Sequence, residues 1–250
     1  MNLDQKYPAL SDLRAAAKKR IPKFVWEYLI SATGSETTPV RNRRQLDKVL
    51  FMPSILHGDF EPDTSATLLG ERYPLPFGVA PVGMSGLIWP HAERKLATAA
   101  TAAGLPYTLS TVACQTPESI GPHVDGRGWF QLYAPRAIDV RKDTLKRVRD
   151  SGFRTLVVTL DVPVASRRER QTRSGLTHPP ALTPRLLAQI AMRPSWALGM
   201  ARAGRPGMPL IASYTQPKIS LPTSISLFSS KSVPSHCFFL IIIDIVFCNT

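Results

Sequence analysis

Two stretches between residues 128 and 170 gather side chains that could grip an anion and polarise a bound ligand. GWFQLYAPR (128–136) is an apolar run that closes on Gln131 and Tyr133. TLVVTLDVPVASRRER (155–170) closes on Thr159, Asp161, Arg167 and Arg168. A strand that stops being apolar where it emits a hydrogen-bonding residue, an acid and then arginines has the layout of a site at the C-terminal mouth of a parallel barrel. The arginines suit a carboxylate or phosphate, because guanidinium presents two parallel N–H donors to a pair of oxygens.

Such a mouth needs strands alternating with helices, and the sequence supplies that rhythm from residue 76 onward. PFGVAPV (76–82), PYTLST (106–111), GWFQLYA (128–134) and FRTLVVTLDVP (153–163) read as strands. HAERKLATAATAAG (91–104) and DVRKDTLKRVRDSG (139–152) read as helices stopped by glycine, and residues 117–124 as a short helical piece. Runs with little polar alternation indicate strands buried on both faces, as in a parallel sheet. Ahead of them, Ser11 and Asp12 can cap one helix, and Pro22 can open a second that ends near Gly34. Residues 35–75 read as a polar, irregular wrapping segment. The predicted fold class is α/β: an incomplete (β/α)8 TIM barrel, about the first four βα units, preceded by N-terminal helices. At this spacing eight units would overrun the chain.

After Arg173 the rhythm breaks. Residues 184–204 read as a basic helix interrupted at Pro194. Residues 216–250, rich in serine and proline and ending CFFLIIIDIVFCNT, resemble nothing upstream. The expected organisation is therefore a domain over 1–215 and an unrelated tail over 216–250, of the kind a frameshift or read-through produces.

The 250-residue chain carries a formal charge of +13, which favours anionic partners. No nucleic-acid-binding motif accompanies it, so nucleic acid is not expected as a partner. Part of the charge is local: residues 166–205 hold eight arginines against the single acid Glu169. Cys114, Cys237 and Cys248 are too few and too far apart for a disulfide framework or a metal site. With no apolar leader at the N-terminus, the expected location is cytoplasmic, peripheral at most on the inner face of a membrane. The apolar run at 238–247 is too short to span a bilayer.

Six segments in order carry a family resemblance: IPKFVWEYLISATG (21–34), RNRRQLDKVLFMPSIL (41–56), PFGVAPVGMSGL (76–87), TLSTVA (108–113), WFQLYAPR (129–136) and VTLDVPVASRRER (158–170). Over about residues 7–214 the chain resembles the N-terminal half of the FMN-dependent α-hydroxy acid oxidases and dehydrogenases. The resemblance implies a (β/α)8 barrel with FMN across the strand ends. It places the turn Ala80, Pro81, Val82 and Gly83 against the flavin ring, with Ser110, Gln131 and Thr159 bonding it. Tyr28, Tyr133 and Arg168 become substrate-binding groups, Tyr133 also facing the reacting oxygen. Asp161 becomes the carboxylate that orients a catalytic histidine.

The implied reaction oxidises a small L-2-hydroxy acid, lactate-like, to the 2-keto acid and passes the electrons to oxygen, a quinone or a cytochrome. Gly83 leaves room for a side chain larger than that of glycolate. None of the five histidines, His57, His91, His123, His178 and His236, has the neighbours of the family's base. The family's flavin-steadying lysine, second substrate arginine and phosphate segment are not visible either. The expectation is thus a truncated and inactive chain. The alternatives are a catalytically dead fragment that associates with full-length subunits, or a basic protein that binds acidic lipid. The resemblance also implies a homo-oligomer for the complete protein. It places a variable loop at 174–214, where Arg185, Arg193, Arg202 and Arg205 with Leu186, Leu187, Ile190, Trp196 and Leu198 form a segment, centred on 184–205, able either to lie on a membrane or to pack as a lid helix on its own barrel.

Overall fold

The computed structural model describes residues 2–53, 55–56, 58–59, 61–160, 168–176 and 182–214, and the backbone of 241–243. Asp161, Arg167, His57, His178, His236 and most of the tail lie outside the described residues.

The N-terminal third is helical: α1 (Leu3–Lys6), α2 (Leu10–Arg20), α3 (Lys23–Ile30) and α4 (Thr37–Leu46). The cap of α2 is Ala9 rather than Ser11. Asp12 sits in the first turn and reaches back, its Oδ2 accepting the Ala9 N–H at 3.0 Å. No residue of α2 is buried, but Arg14 and Lys18 lay their cations over the Trp26 ring at 5.8 and 5.9 Å. Helix α3 opens after Pro22 and buries Phe24, Val25 and Trp26.

The segment read as irregular contains more order than its polarity suggests. Besides α4 it holds an antiparallel hairpin, β1 (Ala66–Leu68) and β2 (Glu71–Tyr73). The two-residue turn puts Leu69 and Gly70 at φ +53° and +81°, the left-handed pair whose twist matches a hairpin. Tyr73 at its end is 2% exposed, and its hydroxyl accepts from the Trp129 indole N–H at 3.3 Å.

Then come α5 (Ser85–Ile88), α6 (Ala92–Ala102), β3 (Thr108–Ser110), α7 (Pro117–Ile120), β4 (Gly128–Tyr133), α8 (Ile138–Asp150) and β5 (Phe153–Thr159). The expected first strand shrinks to a parallel bridge between Val79 and Tyr107, held by Val79 N–H on Pro106 O and Thr108 N–H on Val79 O. The order is Val79 segment, β3, β4, β5, all parallel. From the Val79 segment to β5, sequential neighbours pair with no reversal of direction. Gly104 and Gly152, at φ +69° and +86°, end α6 and α8 as read from sequence.

One core lies between sheet and helices. Leu109, Phe130, Leu132, Phe153 and Leu156 pack on Ala97, Ala100 and Val148. Trp129, Gln131 and Tyr133 alternate with Phe130 and Leu132 and face the other side of the sheet.

The last elements are α9 (Glu169–Arg173), α10 (Pro184–Ala191), α11 (Pro194–Ala203), α12 (Pro209–Ala212) and the strand β6 (Ile241–Ile243). Proline at N1 opens both α10 and α11, so Pro194 separates two helices as expected. They form a second core with α3: Phe24, Val25 and Trp26 with Leu87, Leu176, Leu186 and Trp196. Leu186 and Trp196, expected either on a lipid-facing side or packed on the protein itself, are buried within the chain. Leu187, Met192 and Leu198 are the residues left 51–63% exposed. Strand β6 pairs antiparallel with the free edge of β5, Ile241 against Val158 and Ile243 against Leu156.

Candidate active site

Three neighbouring strand ends carry a connected row of polar side chains. Ser110, the last residue of β3, donates its hydroxyl to Gln131 Oε1 at 3.0 Å. Gln131 Nε2 donates to Thr159 Oγ1, at the end of β5, at 2.9 Å. The parallel register puts Ser110 opposite Gln131 and Tyr133 opposite Thr159, so the row is a consequence of strand pairing. Gln131 is 3% exposed. Thr111, which the sequence reading did not single out, braces it: its N–H donates to Gln131 Oε1 at 3.3 Å and its hydroxyl to the Gln131 carbonyl. The Thr111 hydroxyl also accepts the Tyr133 N–H at 3.2 Å.

Beside this row sits a second group. The Tyr28 hydroxyl donates to the carbonyl of Gly83 at 2.8 Å, joining helix α3 to the turn after the first strand. A Cβ at Gly83 would stand 2.7 Å from Val112 Cγ2 and 3.5 Å from the Tyr28 hydroxyl, so the turn needs glycine for packing reasons. Burial pushes the Tyr28 phenol up to about 12, opposed by the Arg168 charge and reinforced by Cys114 and Tyr133. Arg168 donates to the Tyr28 carbonyl at 3.4 Å. Ala80 and Val82 are exposed and Pro81 half-exposed, giving the turn an open face.

The residues that fix these groups are less visible in sequence. Glu93, fully buried, accepts the N–H groups of Gly86 and Cys114 through Oε1, both at 2.9 Å. It thereby ties the loop after the first strand to the loop after β3, as does the Met84 N–H on the Val112 carbonyl at 2.8 Å. Its Oε2 has no hydrogen-bond partner among the described residues. The signal was an acid in the first turn of α6, which reads equally as a dipole residue.

Arg170 bridges Glu27, at 2.8 Å through Nε, and Glu36, at 2.6 Å through Nη1. The guanidinium and the Ala32 N–H hold the Glu36 carboxyl below its usual range, the backbone bond contributing most. Glu169 accepts the Gly34 N–H at 3.0 Å. Three consecutive side chains, 168 to 170, are thus stitched to α3 and the turn beyond it.

The structure brings together Tyr28, Gly83, Tyr133, Arg168 and the Ser110–Gln131–Thr159 row. His123 bonds Thr98 at 3.2 Å and His91 caps α6 with φ +56°, so neither belongs to the row. A surface hollow of about 490 Å³ lined by Glu118, Arg147 and Asp150 lies at the C-terminal end of α8. In a βα unit that is the end opposite the strand tips. Among the described residues there is no cluster that could hold a metal ion, and no helix long and apolar enough to cross a membrane.

The family model for FMN-dependent dehydrogenases matches residues 17–232. An L-lactate dehydrogenase of Xanthobacter autotrophicus is 34% identical over 226 residues, 90% of this chain and 58% of its own length. One of Bartonella quintana is 36% identical over 225 residues, with the same shares. Among solved structures, the monotopic membrane protein (S)-mandelate dehydrogenase superposes with a TM-score of 0.79 at 30% identity, covering 87% of this chain and 57% of its own. A mandelate oxidase gives 0.64 at 36% identity, covering 72% and 51%. The chain thus spans less than three-fifths of the length of each of these relatives. The chain belongs to the family of FMN-dependent dehydrogenases.

Proposed function

We propose that residues 1–215 are the first four βα units of an incomplete (β/α)8 barrel that receives the ring of FMN and the carboxylate of a small L-2-hydroxy acid, with 216–250 a separate tail. The observation that carries this reading is the Ser110–Gln131–Thr159 row lying beside Tyr28, Gly83 and Arg168. An amide flanked by two hydroxyls offers donors and acceptors in alternation, which fits the pyrimidine edge of a flavin. The open turn at Ala80, Pro81, Val82 and Gly83 offers a surface with no bulky side chain at its last position.

When bound, FMN supplies the acceptor for the two electrons that leave the hydroxy acid as it becomes a keto acid. The chain's own residues would bind and orient. Arg168 would hold the substrate carboxylate bidentately, and Tyr28 would turn its one hydroxyl hydrogen from the Gly83 carbonyl to it. Tyr133 would face the reacting oxygen. Asp161 would orient the base, a role for which none of the histidines among the described residues is placed. The proposed chain binds without turning over, and the acceptor (oxygen, quinone or cytochrome) and a homo-oligomeric state are what the family resemblance implies. The test is titration of the 250-residue chain with FMN, then L-lactate or glycolate without oxygen. A saturable change in the flavin spectrum with no bleaching is expected. No spectral change would remove the reading of the site, and bleaching would remove the inactivity.

The exposed side of α10 and α11, with Arg185, Leu187, Leu198 and Arg202, suits a peripheral contact with acidic lipid. Salt-sensitive binding to anionic vesicles is the expected behaviour. A second reading, a dead subunit that associates with full-length relatives, is favoured by the run Leu50, Phe51, Met52, Ile55 and Leu56, each 77–97% exposed. Co-purification with an intact relative would support it.

A further inference from the structure

We propose that Gln189 is a positioning residue for the pair Tyr28 and Arg168, an inference that rests on the reading of those two as the carboxylate-binding groups. Gln189 lies on α10, outside every barrel unit, and is 6% exposed. Its Oε1 accepts the Phe24 N–H at 2.9 Å, and its Nε2 donates to the Ser174 carbonyl at 3.1 Å. The orientation of the amide is fixed by its partners, since an N–H can only donate and a carbonyl only accept.

Both partners are helix-end groups with no partner inside their own helix. Phe24 is in the first turn of α3, whose cap residue Pro22 supplies no side-chain acceptor. Ser174 is the C-terminal cap of α9. Tyr28 stands one turn beyond Phe24 on the same helix, and Arg168 is the residue on which α9 begins. A single buried amide therefore holds the start of the helix that carries Tyr28 and the end of the helix that follows Arg168. The other side of the same junction is closed by Arg170 on Glu27 and Glu36.

Removing the amide leaves a buried N–H and a buried carbonyl unsatisfied, and each helix regains a partner only by shifting. Displacements near 1 Å at a binding constellation are costly to function. The rest of α10 and α11 stays anchored, by Arg193 Nε on the Ile21 carbonyl and by the Trp196 indole on the carbonyls of Leu87 and Ile88. The FMN-ring row, on β3, β4 and β5, makes no bond to Gln189.

Hydrogen exchange on the full chain and on Gln189→Met and Gln189→Glu tests the linkage without any ligand. Met keeps the length and loses both bonds; Glu keeps the acceptor for Phe24 and loses the donor for Ser174. Faster exchange over 23–30 and 169–174 in Gln189→Met, and over 169–174 alone in Gln189→Glu, is expected, with 92–102 and 153–159 unchanged. Unchanged exchange in both helices, or a uniform rise over the chain, overturns the proposal. A second readout uses the FMN-loaded chain with pyruvate as carboxylate probe. Gln189→Met should weaken pyruvate binding about tenfold while FMN affinity stays the same. A parallel fall in FMN affinity overturns the positioning role. Failure of the unsubstituted chain to bind FMN defeats the reading of the site instead, and the exchange result still decides the linkage.

Discussion

A carboxylate with no exposed surface and two backbone N–H groups on one oxygen is an architectural element. Glu93 ties the turn that presents Gly83 to the loop that follows Ser110. Glu93→Ala leaves the Gly86 and Cys114 amides without acceptors, and a loss of about 2–4 kcal/mol of stability is expected. Glu93→Gln retains the accepting oxygen and should cost about half as much or less; urea unfolding of the two variants measures the difference. Tyr28 gives a second prediction at this scale. Its phenol ionises at about 12 in the folded chain, against about 10 when exposed. Between those values the folded state keeps a proton that the unfolded state has lost. Stability therefore falls as pH rises from about 10 to about 12, and Tyr28→Phe should flatten its share of that slope in melting temperatures taken across the window. At neutral pH the hydroxyl keeps its proton and stays the donor to the Gly83 carbonyl. Of these residues, Tyr28, Gln131, Ser110, Thr159 and Arg168 were legible because each closes an apolar run or stands in a family segment. Glu93 and Gln189 were not: an acid in the first turn of a helix reads equally as a dipole residue, and Phe24 is 165 residues from Gln189. No local periodicity encodes such a bond.

Among the elements, α2, α3, α6, α8 and the three central strands followed from caps, apolar runs and glycine stops, whereas α4 lay in a segment read as irregular. The hairpin at 66–73 did not, because its turn holds Leu69 left-handed where asparagine or glycine is the usual mark. The first strand was overread: PFGVAPV is apolar, yet Pro76 and Pro81 flank it and only Val79 pairs. The docking of α12 on α8 is likewise a long-range matter. Arg147 pairs with Glu118 at 2.6 Å and donates to Ser213 and Tyr214 at 3.0 and 3.2 Å. The Arg147 hydrogen bonds pull the Glu118 carboxyl down to about 2, whereas an unpaired one ionises near 4.5. That pairing contributes stability above the ordinary value and loses it as pH falls towards about 2. The melting-temperature advantage of the unsubstituted chain over Glu118→Gln should thus shrink across that acid window.

For the molecule as a whole, the decisive feature is a parallel sheet whose strands pair in sequence order, so its last member, β5, has one side unclaimed by any later βα unit among the described residues. A row of unpaired backbone groups beside Leu156, Val157 and Val158 is a template for another chain. Three residues of the tail, Ile241–Ile243, pair with it antiparallel, against the direction of every other strand in that sheet. That reversal fits a segment covering an edge, since a further βα unit would add a parallel strand. Removing residues 216–250 uncovers the edge while leaving both cores in place. The expected result is a chain with the same helical content that self-associates as its concentration rises, followed by light scattering. A shortened chain that stays monomeric at every concentration would mean that the edge is protected from within residues 1–215.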